Sequence, residues 1–308
     1  MNVVFMGTPD FSVPCLERLV ADGHNVSGVF TQPDKPKGRG NKIQYPPVKE
    51  TALKYSIPVF QPRSMRDGEA LEIIKKLNPD LIIVIAFGKI LPQEILDFPK
   101  YGCINMHASV LPRYRGAAPI QWCVINGEKE SGVTAMQMDA GIDTGDMLLC
   151  RKVAINENMT AGELHDELSA LSADVMSETI DLAEKGKLEP VKQNDAVSNY
   201  APMLTKELCP IDWNESALTV HNKVRGLSPW PSATAKYNEK TLKIHKTLLV
   251  GKVNGKPGEV VEADKKLTVC CGDGNAVEIV TLQAEGKRAM NSSDFLRGNR
   301  IEVGEILK

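Results

Sequence analysis

The chain has 308 residues, 42% hydrophobic and 25% charged, with a formal net charge of −2. That length suits two domains with sizeable cores, and the near-neutral balance is not that of a dedicated nucleic-acid coat. No apolar run approaches the ~18 residues of a membrane span, and the first residues, Met-Asn-Val-Val-Phe-Met-Gly, lack the basic and long apolar regions of a leader peptide.

The seven cysteines are scattered, with no Cys-x-x-Cys pair, and Cys270 and Cys271 are adjacent. Neither a disulfide framework nor a zinc site fits this pattern, and reduced thiols in a cytoplasm are the expectation. The charge is uneven: residues 1–189 carry 20 Lys+Arg against 25 Asp+Glu, a net of −5, while 190–308 carry 17 against 14, a net of +3. Within the second part, the stretch 236–256 holds Lys236, Lys240, Lys243, Lys246, Lys252 and Lys256 against Glu239 alone. Such a patch is either a solvated strand face or a surface for a polyanion.

In chain order, residues 2–6 read as a buried strand, 7–10 as a turn, 12–22 as a helix and 24–31 as a second strand. This is the opening of a βαβ unit and so of a parallel sheet. Pro9 stands where a Gly-x-Gly-x-x-Gly fingerprint needs its second glycine, which excludes a nicotinamide site. Residues 33–47 are rich in proline and glycine and are expected to lack regular structure. Their Lys35, Lys37, Arg39 and Lys42 make a basic loop suited to an anionic partner.

A helix over 47–55, a strand at 58–60 and a helix near 67–77 continue the alternation. Residues 80–86 are almost wholly apolar, as a central parallel strand covered on both faces should be. Ligands in open α/β sheets bind beyond the carboxyl ends of strands. That rule puts the segment from Phe87 to Leu91 at the same edge as a strand over 102–107. Asn105 and His107 are two apart, so both side chains leave one face of that strand. Ser109, Val110, Leu111 and Pro112 then form a loop, followed by Arg113 and Arg115.

A helix is expected over 117–125 and a strand over 132–138. The acid- and glycine-rich run 139–146 follows, turned so that Asp143 or Asp146 points into the site. Its ligand order lacks the spacing of a calcium-binding EF-hand. A strand over 147–155 and a long helix over 160–184, with Leu164, Leu168, Leu171, Val175 and Ile180 as its core stripe, complete a first domain at 1–189. Residues 190–207 read as a linker. A helix at 216–225 and short strands near 242–250, 258–261, 267–271 and 276–282 indicate a small β-barrel domain at 208–308.

Asn105, His107 and one carboxylate from 139–146 make a constellation without a credible Ser, Cys or Lys nucleophile, and an amide is a poor zinc ligand. The remaining chemistry is acyl transfer with no covalent enzyme intermediate. An amide and an imidazolium would stabilise an oxyanion while the carboxylate orients the histidine and assists proton transfer.

Asn-x-His-x-Ser at 105–109, Leu-Pro-Arg-Tyr-Arg-Gly-Ala-Ala-Pro-Ile-Gln-Trp at 111–122 and Met-Asp-Ala-Gly-Ile-Asp-Thr-Gly-Asp-Met at 138–147 closely resemble the methionyl-tRNA formyltransferase family. So do Met-Gly-Thr-Pro-Asp-Phe at 6–11, Lys-Gly-Arg-Gly at 37–40 and Pro-Trp-Pro at 229–231. Ala108 stands where that pattern has glycine, and Val110 where leucine is usual. Folate-dependent formyltransferases acting on glycinamide ribonucleotide or amino-sugar nucleotides share the Asn-x-His and Asp core, but not the Lys-Gly-Arg-Gly loop.

The resemblance implies an α/β fold: a Rossmann-like, mostly parallel N-terminal domain of formyltransferase type and a small, OB-like C-terminal β-barrel. It implies 10-formyltetrahydrofolate as formyl donor, methionyl initiator tRNA as acceptor and no metal; no membrane is expected from the sequence, and nothing in the composition demands an oligomer, so a monomer is the default. Asn105, His107 and Asp143 match the family's catalytic residues. Ser109, Val110, Leu111 and Pro112 match its folate loop, with Phe87, Gly88, Ile90, Leu91 and Asp139 lining the pterin pocket. By the same likeness Lys37, Arg39, Lys42, Lys206, Lys243 and Lys246 would hold the tRNA.

Overall fold

The computed structural model describes residues 1–37 and 42–308. The chain divides into two compact units: Met1–Gly116, Ser131–Val153 and His165–Tyr200 form one, and Ala117–Glu130, Ala154–Leu164 and Ala201–Lys308 the other. The elements up to residue 184 are β1 (Asn2–Gly7), α1 (Val13–Ala21), β2 (Asn25–Phe30), β3 (Lys35–Lys37), β4 (Lys42–Gln44), α2 (Pro47–Lys54), β5 (Val59–Phe60), α3 (Glu69–Leu77), β6 (Leu81–Ile85), α4 (Gln93–Leu96), β7 (Cys103–His107), β8 (Arg115–Gly116), α5 (Pro119–Ile125), β9 (Glu130–Gln137), β10 (Met147–Ala154) and α6 (Ala161–Glu184). After them come β11 (Tyr200–Ala201), α7 (Ala217–Gly226), β12 (Ala233–Tyr237), β13 (Lys240–Lys252), β14 (Val260–Ala263), β15 (Leu267–Cys270), β16 (Asn275–Ala284), β17 (Met290–Asn291) and α8 (Ser292–Gly298).

The first unit is built on a seven-stranded sheet in the order β10-β9-β7-β6-β1-β2-β5. β1 pairs in parallel with β2 and β6, β2 with β5, and β6 with β7, whereas β7 and β9 run antiparallel. All five residues of β6 are buried, as are the last five of β1. A strand covered on both faces can be apolar throughout, and each such aliphatic side chain contributes roughly 2 kcal/mol on burial. The register Val84↔Asn105 sets the end of β6 beside the end of β7. The segment from Phe87 to Leu91 therefore leaves the sheet at the edge that carries Asn105 and His107.

One expectation is corrected. Within 33–47, β3 and β4 pair as a short antiparallel ribbon, Lys35↔Gln44, Pro36↔Ile43 and Lys37↔Lys42. A proline cannot donate to a ladder, but an isolated two-stranded ribbon has an outer edge where no partner strand needs its N–H. Arg39, in the basic loop, lies outside the described residues.

The second unit is not a single stretch of chain. Trp122 and Ile125 of α5 pack on its core cluster, which includes Val220 and Val224 of α7 and Ile244 and Ile279 of the sheet. Buried Arg225 and His221 of α7 donate to the backbone carbonyls of Met159 and Glu157. These long-range interactions draw 117–130 and 154–164 to the C-terminal half. Helix α6 opens with a reciprocal cap: Glu163 accepts from Thr160 N and its own N–H reaches Thr160 Oγ1.

Strands β12-β13-β16-β15-β14 form a six-stranded antiparallel sheet with β17 on β16. The last residues close it into a barrel. Val260 N donates to Glu305 O and Leu307 N to Gly258 O on the β14 side, while Lys308 and Lys236 exchange backbone hydrogen bonds on the β12 side. A closed sheet has no free edge to pair with another chain.

Candidate active site

Three side chains of the first unit converge. Asn105 and His107 project from the end of β7, and the loop after β9 brings Asp143 to them. Asn105 Nδ2 lies 3.4 Å from Asp143 Oδ1, and His107 Nδ1 lies 3.6 Å from Asp143 Oδ2. The same Oδ2 accepts the backbone N–H of Gly116 at 2.9 Å. Asp146, the alternative to Asp143, gives its backbone carbonyl to Gln137 N.

His107 is buried, and its Nε2 stands 2.8 Å from the carbonyl oxygen of Tyr114. A carbonyl only accepts, so Nε2 carries the hydrogen. Nδ1 is thus the ring nitrogen turned toward Asp143, and it is the one free to gain or lose a proton. The carboxylate, the amide and Nδ1 form one small polar cluster on an otherwise apolar strand end.

The loop after β7 is tied down from within. Ser109 Oγ donates to Arg113 O at 2.7 Å, Thr134 Oγ1 donates to Ser109 O at 2.7 Å, and Leu111 N donates to Thr134 Oγ1. Ser109 and Leu111 are buried, whereas Val110 and Pro112 are half-buried. Tyr114 takes a positive φ of 61° and its N–H donates to Asn199 Oδ1. Holding this turn fixes both the carbonyl that anchors His107 and the N–H of Gly116.

At the neighbouring strand end, Phe87 and Leu91 are buried in the core, while Gly88 and Ile90 are exposed. Thr8 Oγ1 and Gln32 Nε2 both donate to Phe87 O, so the loop after β6 is held to the ends of β1 and β2. Asp139 is exposed and closes its own loop, accepting from Gly141 N at 3.0 Å and from Thr144 Oγ1 at 2.7 Å. The carboxylate of Asp139 shapes the turn that presents Asp143.

Two buried thiols of this unit are held in the neutral form. Burial raises Cys103, at the start of β7, to about 12, and burial followed by the charge of Asp174 raises Cys15 further. Among the described residues, no group of three or more His, Cys, Asp or Glu side chains is placed to hold a metal.

Lys37 and Lys42 pair through their backbone in the β3–β4 ribbon. In the second unit Lys206, Lys243 and Lys246 are exposed. Strict alternation would put Lys243 and Lys246 on opposite faces of β13. The register instead shifts between Ile244 and Lys246, so Lys243 pairs with Gln283 and Lys246 with Thr281 on the same outer face. Sequence reasoning does not identify Tyr114, Gly116, Thr134, Gln193 and Asn199 as residues that shape the site. Tyr114 and Gly116 sit within a motif that the sequence displays, but the others carry no local signal.

Comparison with known proteins gives the family of the chain. The formyl transferase family matches residues 1–180, and the formyl transferase C-terminal domain matches 203–300. The methionyl-tRNA formyltransferase of Alkaliphilus oremlandii is 49% identical over 308 residues, covering 100% of this chain and 99% of that protein. The one from Caldanaerobacter subterraneus is 51% identical over 310 residues, covering both proteins in full. Among solved structures, an N-formyltransferase from Helicobacter canadensis, determined with folinic acid and dTDP-3-aminofucose, superposes with a TM-score of 0.72 at 22% identity over 92% of this chain and 99% of that one. Methionyl-tRNA formyltransferase from Clostridium thermocellum gives 0.56 at 19% identity over 83% and 95%. At such identity the structural likeness is one of fold.

Proposed function

The chain belongs to the formyl transferase family and within it to the methionyl-tRNA formyltransferases, and from that membership we propose how its residues carry out the transfer. The reaction moves the formyl group of 10-formyltetrahydrofolate to the α-amino group of methionyl initiator tRNA, giving N-formylmethionyl-tRNA for translation initiation. A C–N bond forms between the amine and the formyl carbon, and the bond from that carbon to N10 of the folate breaks. The amine loses a proton and N10 gains one.

The observation that carries the residue assignment is the convergence of Asn105 Nδ2 and His107 Nδ1 on the two oxygens of Asp143. Asn105 Nδ2 donates to that carboxylate and a protonated His107 Nδ1 faces it, and the same two groups are arranged to meet the oxyanion of a tetrahedral intermediate. Each such donor supplies ~3 kcal/mol of transition-state stabilisation. Asp143 accepts the proton leaving the amine, the protonated His107 Nδ1 gives its own proton to the departing N10, and Asp143 then returns a proton to the ring. The Tyr114 carbonyl keeps the imidazole from turning during that exchange.

The folate lies along Ser109, Val110, Leu111 and Pro112, with Phe87, Gly88, Ile90, Leu91 and Asp139 around the pterin. The tRNA is held by Lys37, Arg39 and Lys42 of the basic loop and by Lys206, Lys243 and Lys246. In this reading residues 1–189 carry the chemistry, 190–207 connect, and 208–308 bind tRNA, in a cytoplasmic monomer. Among the described residues no helix is long and apolar enough to cross a membrane. The test is to incubate the protein with 10-formyltetrahydrofolate and offer three acceptors: methionyl initiator tRNA, methionyl elongator tRNA and an amino-sugar nucleotide. Formylation of the first alone is expected, and preference for the sugar nucleotide would overturn the proposal.

A further inference from the structure

Gln193 belongs to a segment that reads from the sequence as a connection, yet its carboxamide works on the loop that carries Asp143. Its Nε2 donates to the backbone carbonyls of Asp143, at 2.9 Å, and Gly145, at 2.7 Å. Its Oε1 accepts from Arg115 Nε at 2.9 Å, and Arg115 Nη2 pairs with Asp195 Oδ1 at 2.7 Å. The two hydrogens of one amide nitrogen are therefore spent on two carbonyls of a single turn. The guanidinium can only donate, so it fixes which end of the amide faces that turn.

The turn needs such a hold. Asp143 takes a φ of +54°, a left-handed conformation unfavourable for a residue with a side chain. Gly145 packs so closely that an added Cβ would stand 1.7 Å from Gln137 O. The backbone pairing of Val191 with Met147 brings Gln193 alongside. Gly116, next in sequence to Arg115, donates to the Asp143 carboxylate itself.

We propose that Gln193, oriented by Arg115, is a positioning residue for formyl transfer: it clamps the backbone of residues 143–145 so that the Asp143 carboxylate faces Asn105 and His107. This rests on the role given to Asp143 above. An amide is required in this geometry, because a carboxylate would set acceptor against acceptor at both carbonyls.

The test is a double-mutant cycle of Gln193→Ala and Asp143→Ala, read as kcat for formyl transfer to methionyl initiator tRNA. A displacement of ~1 Å costs on the order of 100-fold in rate, so Gln193→Ala is expected to lower kcat by about that factor with little change in either KM. In the Asp143→Ala background the same substitution should change kcat by less than about threefold, since no carboxylate is left to aim. Equal losses in both backgrounds, or an unchanged kcat for Gln193→Ala, would overturn the proposal. If Gln193→Ala does not fold, Gln193→Glu takes its place in the cycle: it keeps the shape and the acceptor for Arg115 but removes both donors, and the same coupling is required of it. A separate failure is recognisable. Full activity of Asp143→Ala alone would remove the role of Asp143, and with it the purpose of the clamp.

Discussion

His107 and Asp143 meet through one oxygen: Nδ1 of the histidine stands 3.6 Å from Oδ2, the atom that also receives the N–H of Gly116. The other ring nitrogen is committed to the carbonyl of Tyr114. Both fixed partners come from the turn at 114–116, so one short stretch of backbone sets the orientation of the imidazole and of the carboxylate.

Gly145→Ala tests how tightly the acid loop is built. An added Cβ would meet Gln137 O at 1.7 Å, and a backbone atom cannot swing aside as a side chain end can. The loop must shift, and Asp143 with it. We expect kcat to fall by about 100-fold, the scale of a ~1 Å misplacement. Steady-state kinetics with the folate KM measured in parallel distinguish misplacement of the acid from loss of folate binding.

Lys243→Ala and Lys246→Ala test the basic face of β13. Each should raise KM for tRNA and leave the folate KM unchanged. Removing a single lysine–phosphate interaction should reduce the slope of log affinity against log salt by about one. Filter binding over a salt series provides the slopes. An unchanged slope for both variants would return the patch to a merely solvated strand face.

The stability of the second unit should depend on pH through His221. This residue is buried, Nε2 donates to Glu157 O at 3.0 Å, and Nδ1 lies 2.9 Å from Thr247 Oγ1. Burial lowers its pKa below 6.5, with the nearby Arg225 adding to the effect and Glu157 opposing it. The unfolded chain therefore binds a proton below about pH 6.5 that the folded chain refuses. Stability is full above that pH and falls as the pH drops through it, by at most ~1.4 kcal/mol per pH unit for one proton. Urea unfolding at a series of pH values should show this decline in the native protein and a flatter profile in His221→Leu, whose missing hydrogen bonds lower its stability at every pH.

Much of the first unit is legible in the sequence because its signals are local. The apolar run of β6 and the period-two placement of Asn105 and His107 can be read from neighbouring residues alone. The choice of Asp143 over Asp146 cannot be made from the loop's composition and rests on the family resemblance. In the structure it follows from the left-handed turn and its distant partners. The hairpin at β3–β4 escapes a reading by composition because its proline lies on a ribbon edge. The closure of the barrel by Glu305, Leu307 and Lys308, the recruitment of α5 to the second unit and the clamp by Gln193 all depend on partners dozens of residues away or more. Periodicity carries no record of such pairings.

The most direct measurement of the central claim is the single-turnover rate of formyl transfer by Asp143→Ala and His107→Ala, with saturating 10-formyltetrahydrofolate and methionyl initiator tRNA. The convergence of Asn105, His107 and Asp143 predicts a rate lowered by about 100-fold or more in each, since acid–base assistance is worth ~10²–10⁴-fold, with tRNA binding intact. A near-normal rate in either variant would contradict it.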